Sequence, residues 1–354
     1  MISDLLHFTK QDLVHEIKQI DEKTYRAKQI WQWFYRFGCF DFNLMTNISK
    51  ESRQRLSQKF IINLPQISKK IESQDGTIKF LVKFIDNREV EAVYIPEERR
   101  ATLCVSSQVG CTLACKFCHT GTQTLVRNLE FHEIIAQILI AKNIINDWNQ
   151  SKKLTNIVFM GMGEPFFNYD NVKKAVDVLC DEEGLAFSRK RVTISTSGLV
   201  PEIIKSATEI RTNLAISLHA TNDKLRTEIM AINKKYPLQD LLSACFDYGN
   251  KNPKEKITFE YVMLDGINDK DANAYELIAL INKFNVNAKI NLIPFNKWQG
   301  CDYEVSSNNK IRKFSQILKD NKIITTVRKT RGSDAMAACG QLKSISKRIP
   351  KRNQ

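Results

Sequence analysis

Apolar positions recur at helical spacing through the first seventy residues. Leu13, Ile17 and Ile20 form one stripe, and an aromatic group, Trp31, Trp33, Phe34, Tyr35 and Phe37, stands just before Gly38. Residues 41–50 read as a capped connection into a helix over 50–60. From Thr77 the period shortens. Residues 78–85 and 90–95 flank a turn at Asp86-Asn87 and predict a β-hairpin, closed by Pro96 and the charged run 97–100. Beyond Arg100 the two patterns alternate. Strands are predicted over 102–106, 156–160, 191–195, 213–217, 257–263 and 289–293, with helices between them over 131–146, 171–180, 201–207, 238–250 and 272–284. A last strand over 323–329 and a short Ala-rich helix over 335–342 follow. Strands separated by helices build parallel βαβ units, and about six of them predict an α/β fold, a partial or full barrel. Such barrels carry their chemistry at the C-terminal ends of the strands.

This pattern divides the chain into an N-terminal helical accessory domain over 1–75, a hairpin linker over 76–96, a core over 97–342 and a basic tail over 343–354. The N-terminal aromatics suit a small helical core; a base-stacking surface is the other use for them. At 354 residues, 43% hydrophobic and 26% charged, the chain has the composition of a globular protein, which excludes collagen-like, disordered and disulfide-stapled classes. No apolar run approaches the roughly 20 residues that span a bilayer, and the start has no basic segment leading into an apolar one. A cytoplasmic protein without a membrane partner is expected.

Charge and cysteine sharpen the picture. The formal net charge is +14, and residues 321–354 hold nine Lys and Arg against Asp334 alone, so more than half of the excess lies there. A solvated tail and a phosphate-binding tail both fit that concentration. The nine cysteines are an odd number in a chain of this kind, which points away from a disulfide framework and towards metal or redox chemistry. Directly after the first barrel strand, Cys111, Cys115 and Cys118 stand in the pattern C-x3-C-x2-C. Three thiolates on one loop can hold three corners of an iron–sulfur cluster and leave one iron free. A zinc site with His119 or Cys104 as remote fourth ligand is the alternative.

The cysteine loop, with Phe117 before its third cysteine, resembles that of the radical S-adenosylmethionine (SAM) superfamily, whose fold is a partial (βα)6 barrel. The resemblance narrows along the chain. Val90-Glu-Ala-Val-Tyr-Ile-Pro96, Cys104-Val-Ser-Ser-Gln-Val-Gly-Cys111, Gly161-Met-Gly-Glu-Pro165, Ser195-Thr-Ser-Gly198, Ser217-Leu-His-Ala220, Leu292-Ile-Pro-Phe-Asn296 and Asp334-Ala-Met-Ala-Ala-Cys-Gly340 look like the RlmN-type RNA adenine C2-methyltransferases.

That resemblance implies one [4Fe–4S] cluster on Cys111, Cys115 and Cys118, and two SAM molecules per turnover. It assigns Gly163, Glu164, Ser195, Ser217, Leu218, His219 and Asn296 to the SAM site. Cys339 matches a cysteine that is first methylated; the deoxyadenosyl radical from a second SAM then activates the methyl, which adds to C2 of adenine. Cys104 matches the thiol that resolves the resulting RNA adduct through a transient disulfide with Cys339. Glu91 matches the proton acceptor at C2. Taken without the family, His219 reads as a packed core histidine, Glu91 as a surface residue of the hairpin, and Cys39, Cys180, Cys245 and Cys301 as small buried apolar groups. The implied substrates are an adenosine of 23S rRNA and the adenosine beside the anticodon of some tRNAs. The implied electron donor is a flavodoxin or ferredoxin, and a monomer is expected. A Cfr-type C8-methyltransferase shares nearly all of these residues, with Pro165 favouring C2 chemistry, and a zinc-dependent RNA-binding protein without catalysis is the reading from another class.

Overall fold

Among the described residues, ten strands hydrogen-bond side by side in strict chain order. The structure, a computed structural model, describes residues 2–148, 153–344 and 346. Strands β1 (Gln66–Glu72), β2 (Ile78–Lys83), β3 (Glu89–Pro96) and β4 (Ala101–Cys104) run antiparallel to one another. From β4 onward the pairing is parallel: β5 (Asn156–Phe159), β6 (Val192–Thr196), β7 (Asn213–Ser217), β8 (Ile257–Met263), β9 (Ala288–Pro294) and β10 (Thr325–Val327). All seven parallel strands lie where the apolar runs predict them. The hairpin is no separate linker, however. It is continuous with the barrel sheet and gains a third strand, β1, from the segment assigned to the helical domain.

Helices α1 (Lys10–Gln19), α2 (Tyr25–Tyr35) and α3 (Lys50–Lys59) make the N-terminal unit. Thr9 and Asp12 close a capping box on α1, and the Ser49 hydroxyl caps α3. Trp31, Phe34 and Tyr35 are buried as a helical core requires, while Phe37 lies on the surface, 49% exposed. The unit is fastened to the rest of the chain by polar groups. Trp31 Nε1 donates to Asp181 Oδ1 (3.2 Å), and Lys10 pairs with Asp181 (3.0 Å) and Glu183.

The crossovers return through α4 (Phe131–Ile144), α5 (Tyr169–Cys180), α6 (Val200–Glu209), α7 (Asp223–Ile229), α8 (Leu238–Lys251), α9 (Asp271–Phe284) and α10 (Asn308–Asp320). Along the strands, Ile194, Leu214, Ile216, Phe259, Tyr261, Ile290 and Leu292 are buried under these helices. The alternate positions Thr193, Thr258, Glu260, Lys289, Asn291 and Thr326 face a cavity inside the barrel. The lumen is therefore polar and open where a full barrel would be packed.

Two expectations need correction. Residues 335–342 form turns, not a helix, because Gly332, Met336 and Gly340 take left-handed backbone angles that interrupt any helical run despite the alanines. Of the four cysteines read as core, Cys245 alone is fully buried; Cys39, Cys180 and Cys301 are half-buried and pack against the edges of the hydrophobic clusters. Of the basic tail, residue 345 and residues 347–354 lie outside the described residues.

Candidate active site

The cysteine loop leaves the end of β4 through Ser106, which is locked in place: its N–H donates to Gln137 Oε1 (2.8 Å) and its hydroxyl to the Glu91 carbonyl (2.7 Å). Gly110 follows at φ +83°, where an added Cβ would meet the Thr124 carbonyl at 2.3 Å. The loop folds on itself through Cys118 N–H to Cys115 O (3.1 Å) and Gly121 N–H to Cys118 O (3.0 Å). Cys111, Cys115 and Cys118 all line one cleft, and all are free thiols. Burial pushes the Cys111 thiol up to about 12 and the Cys115 thiol well above its usual value. Backbone N–H groups of Leu113 and Thr112 oppose this at Cys111, as those of Gly121 and Thr120 do at Cys118. Such N–H donors suit thiolates that ligate a cluster.

Among the described residues no three His, Cys, Asp or Glu side chains close on a single ion. Three cysteine sulfurs on one cleft, with backbone N–H donors beside them, are a donor set that fits an iron–sulfur cluster. The zinc reading loses its fourth ligand as well. His119 stacks on Trp298 at 4.7 Å with its Nδ1 3.3 Å from the Gln341 carbonyl, and Cys104 is buried beside Cys339 and Arg328.

Opposite the loop, the ends of β5 to β9 bring Gly163, Glu164, Ser195, Ser217, His219 and Asn296 to the same cleft. Gly163 takes φ +99°, and a Cβ there would collide with Gln108. Glu164 is buried, which raises its carboxyl, and it accepts N–H bonds from Phe166 (3.1 Å) and Ser197 (2.8 Å). The carboxylate also lines the cleft, beside the Thr196 and Ser197 hydroxyls, where an ammonium group fits. Leu218 is fully buried and does not line the cleft; its N–H donates to the Glu260 carbonyl (3.0 Å) and its carbonyl accepts from Arg226 Nε (3.1 Å).

His219 stands at φ +59° with its Nδ1 accepting from Val262 N–H (3.0 Å), so the proton is on Nε2. Burial first, and Arg226 second, bring it down to about 3 from 6.5, so it stays neutral. Unfolded, this imidazole takes up a proton near 6.5; folded, it resists until about 3. Its contribution is therefore intact above pH 6.5 and lost as pH falls towards 3. His219→Asn keeps an acceptor and tolerates the backbone angle, so its Tm should fall less steeply than that of the parent protein between pH 6.5 and 4. Equal slopes would show that His219 does not carry this acid sensitivity.

The two remaining cysteines meet at the edge of the cleft. Cys339 lines it, held by Asn296 Nδ2 donating to the Cys339 carbonyl (3.1 Å). Cys104, at the end of β4, is pushed up to about 12 by burial and by Cys339, against the Arg328 guanidinium. Arg328 faces Cys104, Cys339 and Glu260 together. Glu91 is not in the cleft wall. It is 4% exposed on β3, in contrast to the surface position its hairpin suggests, and is raised by burial. Lys79 Nζ sits 3.1 Å from its carboxylate and also donates to the Met336 carbonyl (2.9 Å), while the Lys343 N–H donates to Glu91 Oε2 (2.8 Å). The proton-accepting candidate is thus tied to the segment that carries Cys339.

Arg226, Lys79 and Arg328 are absent from the sequence assignments. Lys79 alternates with apolar residues like any strand-edge lysine, and no motif marks the others.

Residues 3–62 match the family described as "Ribosomal RNA large subunit methyltransferase N-terminal domain", and residues 105–278 match the radical SAM superfamily. The dual-specificity RNA methyltransferase RlmN of Ruegeria pomeroyi is 51% identical over 333 residues, 92% of this chain and 85% of that protein. The protein of the same description from Rhodospirillum rubrum is 47% identical over 98% of this chain and 81% of its own length. The crystal structure of a radical SAM methyltransferase from Sphaerobacter thermophilus superposes with a TM-score of 0.90 at 40% identity, covering 96% of this chain and 99% of that one.

Proposed function

The chain belongs to the RlmN family of dual-specificity RNA methyltransferases, within the radical SAM superfamily, and we propose that it methylates C2 of an adenosine in 23S rRNA and of the adenosine beside the anticodon in some tRNAs. We place the reaction in the cytoplasm, with a reduced flavodoxin or ferredoxin as electron donor and the enzyme acting as a monomer. Among the described residues no helix is long and apolar enough to cross a membrane.

The observation that carries this reading is that Cys339 enters the same cleft as the three loop cysteines while Cys104 lies beside it. Cys111, Cys115 and Cys118 would hold the [4Fe–4S] cluster, and Glu164, Ser195, Ser217, His219 and Asn296, with Gly163 and Leu218 beside them, would hold SAM. Bound there, cluster and SAM would supply a methyl group, the radical that activates it and a sink for the electron left over when C2 loses its proton. The protein's own groups do the rest. C2 of adenine lies between two ring nitrogens and is too electron-poor to attack a sulfonium, so the carbon must arrive on a protein sulfur, which is the role of Cys339. Glu91, raised by its burial, accepts the proton that leaves C2. Cys104 then attacks the Cys339 sulfur as thiolate, an S–S bond replaces the S–C bond, and the freed carbon keeps the bonding pair and takes a proton back from Glu91, so that the methylated base departs. The Arg328 guanidinium, facing both sulfurs, favours the anion this step needs.

The test is anaerobic purification followed by assay with RNA. A brown protein with about four irons that releases S-adenosylhomocysteine and 5′-deoxyadenosine in equal amounts per methyl supports the reading. A colourless protein containing zinc and inert towards SAM contradicts it.

A further inference from the structure

Arg226 is fully buried on α7, behind the cleft wall. Its Nε donates to the Leu218 carbonyl (3.1 Å), Nη1 to Asn233 Oδ1 (2.8 Å), and Nη2 to the carbonyls of Ser197 (2.7 Å) and Ser217 (3.0 Å). Each acceptor is neutral. The nearest carboxylate, Asp223, is occupied by the Leu238 N–H (2.8 Å) and Asn233 Nδ2 (2.9 Å). Arg226 is thus a buried cation with its donors spent on the protein, a costly arrangement unless its charge or its fork has a use.

The fork has one. It joins the end of β6 to the end of β7, the two edges that present Ser195 and Ser217 to the cleft, and the same Ser197 gives its N–H to Glu164. At its other end α7 accepts the Lys116 N–H on the Ile229 carbonyl (3.0 Å), within the loop between Cys115 and Cys118. One short helix therefore touches the ligand edges and the cysteine loop together.

We propose that Arg226 is a positioning residue for SAM: its fork fixes the carbonyls at the ends of β6 and β7, and so holds Ser195, Ser217 and Glu164 in register on the ligand. The inference rests on the radical SAM reading of the cleft.

Two variants of the full-length, reconstituted protein test the fork. Arg226→Lys keeps the charge and loses the fork; Arg226→Gln keeps a planar amide with fewer donors. At wild-type iron content, Arg226→Lys should raise the KM for SAM about tenfold, the worth of one charge-assisted hydrogen bond, with kcat at saturating SAM within about twofold of the parent. The dissociation constant of SAM read by calorimetry should weaken by the same factor. A KM and a dissociation constant both within about twofold of the parent overturn the proposal. If Arg226→Lys fails to fold, the same two measurements on Arg226→Gln decide. A wild-type protein that takes up no iron would defeat the family reading instead.

Discussion

Replacing Cys104 by alanine should stop the enzyme after a single RNA and leave that RNA attached through Cys339, whereas Cys339→Ala should attach none. The two thiols are neighbours, yet the sequence of bonds makes them unequal. Cys339 lines the cleft and can carry carbon to the base; Cys104 is 7% exposed at the end of β4 and reaches only its partner. Without Cys104 the S–C bond has no nucleophile to break it, since water in this enclosed corner is a poor substitute for a thiolate. Turnover should drop below one methyl per enzyme, read by denaturing gel as a protein–RNA band that ribonuclease shortens. Equal trapping by both variants would overturn the division of labour. Because burial holds the Cys104 thiol near 12, release of the adduct should quicken as pH rises through the alkaline range, for the thiolate attacks and the thiol does not.

Cys118→Ala should abolish both iron uptake and product. Three thiolates are the fewest that leave one iron of a four-iron cluster open, so removal of one leaves two ligands and no stable cluster. The packing of the loop supports a local effect. Cys118 bonds through its backbone to Cys115 and Gly121, and these contacts survive in alanine, so the fold should persist while iron falls from about four per chain to near none. Retention of normal iron would remove Cys118 from the ligand set.

The strands of the barrel were legible as short apolar runs between helical stretches, rich in β-branched or aromatic residues in Ile257–Met263 and Val192–Thr196. The cleft residues were legible through their motifs. What lay hidden depends on contacts between distant segments. The alanines of 335–338 favour a helix, but left-handed backbone at Met336 and Gly340 turns the chain so that Cys339 faces the cleft. Helix α10 escaped notice because Ile311, Phe314 and Leu318 are set among asparagines and lysines that read as loop. Lys79 and Glu91 sit on adjacent strands, and nothing in either strand's alternation announces a buried pair that also reaches Met336 and Lys343. Arg226 is the extreme case: its four acceptors come from three segments, and its burial is a property of the fold alone.

The central claim is the atom that receives the methyl. Ribosomal and transfer RNA from a strain lacking this protein, incubated with the reconstituted enzyme, SAM and a reductant, can be digested to nucleosides and resolved by mass spectrometry against authentic standards. New 2-methyladenosine is the expected product. Methyl on C8 instead, or RNA unchanged by an iron-replete enzyme, would contradict it.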